Sequence, residues 1–189
     1  MRGQPAKILA KADVRLLLTT AGRSRWPERN RAMVLLSVKA GLRAGEISAF
    51  RWTMVSDAKG RIGTVIELPA YAAKCGSGRR IPIHPDLRKA LTRLKGDQTG
   101  PVIQSERGGP MSAKSVVNWF ARLYATVGLE GCSSHSGRRT FVTQAARLVH
   151  RAGGSLRDVQ ELAGHRSIKT TQGYIEGDGD AQRRLVRLL

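Results

Sequence analysis

Aromatic side chains make up only 5% of this 189-residue chain, as three Trp, three Tyr and three Phe. That is too few for the base-stacking platforms that read single-stranded RNA. Cysteine is scarcer still: Cys75 and Cys132 cannot build a disulfide framework and fit free thiols in a reducing compartment. No apolar run approaches the ~18 residues of a membrane span, and the basic start lacks the apolar centre of a signal peptide. A cytoplasmic protein is therefore expected. A Walker-type Gly-rich lysine motif is missing, so nothing points to a nucleotide. Cys132 and His135 could form one metal pair, but no second pair lies at ligand spacing, and neither metal nor other cofactor is expected.

Acid is the third shortage. Fourteen Asp and Glu stand against 33 Lys and Arg, giving a formal net charge of +19. Such an excess points to a polyanion: DNA, RNA or an anionic membrane. With so few aromatics, binding through the phosphates of DNA fits best. What remains is ordinary for a folded domain. Hydrophobic residues reach 41%, enough for a core rather than disorder, and the length suits one domain.

Periodicity predicts a mostly helical α+β fold with one small antiparallel β-sheet. Ile8 to Ala21 reads as an amphipathic helix stopped by Gly22. Pro27 suits a first helical position. Asn30 to Ala40 is apolar on most sides and so central and buried. After Gly41, a new helical turn starts at Arg43. Gly63 to Leu68 and Arg79 to Ile83 read as paired strands, with Pro82 marking an edge. The Gly/Ser-rich stretch 72–78 is their hairpin tip. A helix follows from Pro85 to Leu94, then a turn-rich surface loop from Gln98 to Pro110. Ser112 caps a helix over Ala113 to Val127. Ser133 or Ser134 caps the next, from His135 to about His150. Ser155 to Asp158 opens another as a near capping box, and a last short helix covers 168–175. Gly177 to Gly179 reads as a hinge before a short amphipathic tail.

Singly, the candidate functional residues decide little. Arg43 could cap the carbonyls of the helix before it. Glu46, three residues on, shares its face and either holds its guanidinium or forms a weak surface pair. Lys74 sits on the hairpin tip, solvated or carried into a groove. His135 and Arg138 face the same way on a predicted helix, whose start favours anions. His165 follows Gly164 at a break, and Tyr174 comes nine residues later. His84 and His150 read as structural.

Together they form an ordered set. Gly41-Leu42-Arg43-Ala44-Gly45-Glu46, a lysine on a β-hairpin, His135-x-x-Arg138-Arg139-Thr140, and Gly164-His165 followed by Thr170-Thr171-x-x-Tyr174 occur in this order. This resembles the catalytic domain of the tyrosine recombinase (phage integrase) family, from about Ala12 to Glu176. The resemblance implies a site that cuts and rejoins DNA without metal or ATP. Tyr174 would attack the scissile phosphate and form a 3′-phosphotyrosyl link. Arg43 and Arg138 would clamp the non-bridging oxygens, with His135 and His165 completing the clamp and helping to move protons. Lys74 would protonate the leaving 5′ oxygen, and Glu46 would orient Arg43. Double-stranded DNA is the implied partner, with a homotetramer on paired sites and a nucleoid-associated location. The implied organisation is a basic tail over 1–11, the catalytic domain over 12–176 and a C-terminal tail over 177–189. That tail would pack on its own domain or on a neighbour. The family usually carries a separate N-terminal helical domain that closes over DNA, where this sequence has only the short tail. Arg139 stands where the family often has His, and a phosphate or packing role is expected of it.

The residue types suit the chemistry. A free phenol has a pKa of about 10, so only about one in a thousand is ionised at pH 7, a cost of roughly 4 kcal/mol. Arginines supply planar donors that match phosphate oxygens and stay charged, where transition-state charge builds. A covalent intermediate keeps the phosphodiester's bond energy, so resealing needs no ATP. A DNA-binding regulator without catalysis and a DNA-relaxing enzyme of the type IB topoisomerase kind are the other readings of the same residues.

Overall fold

The computed structural model describes residues 6–73, 76, 78–96, 99–174 and 186–187. Among them the chain runs α1 (Lys11–Gly22), α2 (Pro27–Ala40), α3 (Ala44–Ala49), β1 (Val65–Leu68) and β2 (Arg79–Pro82). Then come α4 (Pro85–Lys95), α5 (Ala113–Thr126), α6 (Ser136–Leu148), α7 (Leu156–Ala163) and α8 (Ile168–Gln172). This is the expected α+β plan. The proposed hinge and most of the C-terminal tail lie outside the described residues.

Helix α2 is the axis. Pro27 starts it, and Ala32 to Leu36, Val38 and Ala40 are all buried. A helix apolar all round needs neighbours on every side, and α1, α4 and α6 pack against it. It ends at Gly41, whose left-handed φ of 63° is cheap only without a Cβ. A Cβ there would also run into the Phe141 ring of α6. One large apolar cluster joins α1 to α5 and the sheet, including Leu17, Met33, Leu36, Phe50, Ile66, Leu87 and Phe120. A second, much smaller cluster of Val142, Val149, Val159 and Ala163 supports α6 to α8.

The strands pair antiparallel, with Ile66 opposite Ile81 and Leu68 opposite Arg79. Alternation turns Ile66 and Leu68, and Arg79 and Ile81, inward. Local caps match the sequence at several points. Ser112 accepts from the Ser115 N–H, and Ser155 with Asp158 forms a full capping box on α7.

Three local expectations need correcting. Helix α1 begins at Lys11, not Ile8. Leu9 lies before it, buried, with its N–H donated to Thr140 Oγ1 at 2.8 Å, so this part of the expected tail is tied to α6. The loop over 98–110 is not all surface: Val102 and Ile103 are buried, and their backbone bonds to Phe50 and Met111 knit the segment into the core. The N-cap of α6 is His135 rather than Ser133 or Ser134. Helix α4 starts at Pro85 as expected, with His84 as its N-cap, whose Nδ1 accepts the Asp86 N–H at 3.1 Å.

Candidate active site

The ends of α2, α7 and the starts of α3, β2 and α6 meet around one carboxylate. Glu46 is 1% exposed. Its two oxygens accept the Arg43 N–H and Arg43 Nη1, both at 2.9 Å. They also take Arg79 Nη1 at 3.0 Å and Nη2 at 2.9 Å, a two-pronged contact from β2. Burial works to raise the Glu46 pKa, but Arg79 and then Arg43 overcome it and hold the carboxyl at about 2. Arg43 therefore reaches forward into its own helix start and does not cap the carbonyls of α2.

Those carbonyls belong to another arginine. Arg138, 2% exposed, donates Nη1 to Gly41 O at 2.7 Å and Nη2 to Ala163 O at 2.6 Å. It thus bridges the end of α2 to the end of α7. Nη2 also lies 2.9 Å from His165 Nε2. Arginine only donates, so this nitrogen accepts, and the ring proton sits on Nδ1, which donates to Thr171 Oγ1 at 3.0 Å. Burial, then Arg138, Arg43 and Arg79, push the His165 pKa down to about 4, so the ring is neutral at pH 7. Arg138 is itself pushed down to about 10 by burial and by Arg43 and Arg79, with Glu46 and Tyr174 acting the other way. Three guanidiniums around one carboxylate leave a local surplus of positive charge. An anion placed there would relieve it.

Tyr174 follows α8. Its ring stacks on His165, with centroids 5.3 Å apart and planes 24° from parallel. It rests against the small cluster, and its carbonyl accepts from Thr143 Oγ1 at 3.2 Å. Tyr174, Arg138, His135 and Arg139 line one cleft of about 470 Å³ with Ser133, Lys169 and Thr170. Among the described residues that line it there is no carboxylate. His135 precedes the helix as its N-cap and is exposed, while Arg138 is buried within it. Both still border the cleft. At this helix start the N–H groups of His135 and Ser136 are already taken by Ser133.

The structure thus brings together Arg43, Glu46, Arg138, His165 and Tyr174, with His135 at the rim. Lys74 lies outside the described residues. Sequence reasoning missed Arg79, although the alternation at Ile81 put it on the inward face. It also gave Thr171 no role and overlooked Lys169. Among the described residues, no group of three or more His, Cys, Asp or Glu could hold a metal.

Residues 7–179 match the phage integrase family, and the chain belongs to it. The tyrosine recombinase XerC of Brucella suis biovar 1 (strain 1330) is 31% identical over 153 residues, 77% of this chain and 45% of that protein. XerC of Xylella fastidiosa (strain 9a5c) is 32% identical over 158 residues, 79% and 49%. The chain spans about half the length of these curated relatives. Among solved structures, the Tn1549 transposon integrase in complex with a circular intermediate DNA superposes with a TM-score of 0.74 at 19% identity, covering 100% of this chain and 67% of that one. XerA recombinase gives 0.72 at 23%, covering 100% and 65%. Both likenesses are of fold.

Proposed function

We propose that this chain is the catalytic part of a site-specific DNA recombinase. Tyr174 attacks a scissile phosphodiester, forms a 3′-phosphotyrosyl link and releases a 5′ hydroxyl, and the reverse attack reseals the strand. Arg43 and Arg138 hold the non-bridging oxygens, and Glu46 fixes Arg43. His135 and His165 flank the phosphate, and Lys74 protonates the leaving oxygen. The chemistry needs neither metal nor ATP, because the phosphotyrosyl bond conserves the energy of the one it replaces. Duplex DNA is the substrate, and a homotetramer on two paired sites is the working assembly.

The observation that carries this reading is the stacking of Tyr174 on a neutral histidine that is itself bonded to a buried arginine, beside a cleft lined by Arg138, Arg139 and Lys169. Cations aimed where charge develops are the main requirement of phosphoryl transfer. The test uses a pool of end-labelled nicked duplexes with randomised cores. The expected result is a protein–DNA band that survives denaturation and disappears in Tyr174→Phe. A band that persists in that variant overturns the mechanism.

A further inference from the structure

Outside the six residues of the sequence motif, one buried charged side chain touches three separate parts of the site. Arg79 is 4% exposed at its side chain. Its Nη1 and Nη2 grip both oxygens of Glu46, and its Nε donates to Leu162 O at 3.1 Å. Leu162 lies in the last turn of α7, which ends at Gly164 and turns to present His165. Gly164 has a left-handed φ of 63°, and a Cβ there would press on the Arg79 stem. The arginine thus runs beneath the turn that carries His165 while holding the carboxylate that holds Arg43.

We propose that Arg79 is a positioning residue for DNA cleavage: by gripping Glu46 and the last turn of α7 together, it sets the Arg43 guanidinium in register with His165. This rests on the function proposed above. The reasoning is geometric. The three N–H groups that carry these contacts point to Glu46 and to a carbonyl, and the side chain is sealed from the cleft. Arg79 therefore acts on substrate through its neighbours. Glu46 bonded to Arg43 alone could rotate with it, whereas a carboxylate gripped on both oxygens from β2 cannot. Misplacement of a clamp by about 1 Å costs on the order of 100-fold in rate.

The experiment compares the native chain, Arg79→Gln, Arg79→Lys, Glu46→Gln and the double variant Arg79→Gln/Glu46→Gln. Single-turnover covalent-complex formation and DNA affinity are measured on the nicked-duplex pool, and folding is followed by circular dichroism. Arg79→Gln is expected to slow cleavage about 100-fold with affinity changed by less than about threefold. The lysine variant, which keeps the charge but not the fork, is expected to fall between. The double variant should be little slower than either single one, because the two residues act as a unit. The pH profile gives a readout that packing alone would not move. The charged groups facing Glu46 are Arg43 on α3, Arg79 on β2 and Arg138 on α6, with His165 beyond Arg138. Losing the Arg79 cation raises the Glu46 pKa, so the variant's deficit should widen from pH 8 to pH 5. Additive losses, a deficit independent of pH, or an unchanged rate overturn the proposal. So does failure of both Arg79 variants to fold, which would make Arg79 a stability residue only. If the native chain forms no covalent complex, the proposed function fails instead.

Discussion

Arg43, Glu46 and Arg79 stand beside the large cluster that joins five helices and the sheet, whereas Tyr174 rests on a cluster of only four buried residues. The first group is locked by charged hydrogen bonds of 2.9–3.0 Å around one buried carboxylate. The second hangs on a five-residue helix, α8, through a ring stack and two hydroxyl contacts. Such a division would suit the proposed reaction, in which the clamp is preset while the nucleophile approaches the phosphate and is displaced from it on resealing. Arg138 and His165 are the joint between the two groups.

The contrast breaks most visibly at Glu46. Removing this carboxylate in Glu46→Ala leaves Arg79 buried without its counter-charge, and urea unfolding should show a loss of about 3–5 kcal/mol. A smaller loss should appear with acid. His165 has a folded pKa of about 4, below the ~6.5 of an unfolded histidine. The unfolded chain takes up the proton first, so stability falls as pH drops from about 6.5 to about 4. Glu46, held at about 2, adds a further loss below about pH 4.3. Urea midpoints measured across pH should show both stages, and His165→Gln should remove the first only.

Local opening sharpens the same comparison. Amide exchange should be fast in α8 and near the global limit in α2, where most side chains are buried. Equal protection in the two helices would erase the distinction. The weakest effect belongs to the exposed Arg157–Glu161 pair, one and five residues after Leu156 on α7, with side chains 71% and 62% exposed. Arg157→Ala should shift stability by no more than about 0.5 kcal/mol, although the pair is as short as those around Glu46.

Much of this was legible in the residues themselves. The all-round apolar pattern of α2, the Ser112 and Ser155 caps and the period-two run through Ile81 each predict their element, because the forces involved act within one or two turns of chain. The motif residues could be named, but not their partners. That Arg138 would spend its donors on Gly41 and Ala163 depends on helix ends 97 and 25 residues away. Arg79 was missed because an arginine on an inward strand position makes sense only beside Glu46, 33 residues earlier. Val102 and Ile103 were hidden by the glycines and prolines around them, which mark turns but not depth. At the start of α6, Ser133 was read as a cap, yet its hydroxyl meets the His135 N–H one step before the helix begins.

The surplus of guanidinium over carboxylate has a practical side. Small tetrahedral oxyanions match the same donors as a phosphodiester, so sulfate or inorganic phosphate in a buffer would settle in the cleft and compete with the natural ligand. Purification and assay in chloride would avoid that competition, and weak protection by millimolar sulfate against heat would be the first sign that the cleft is filled.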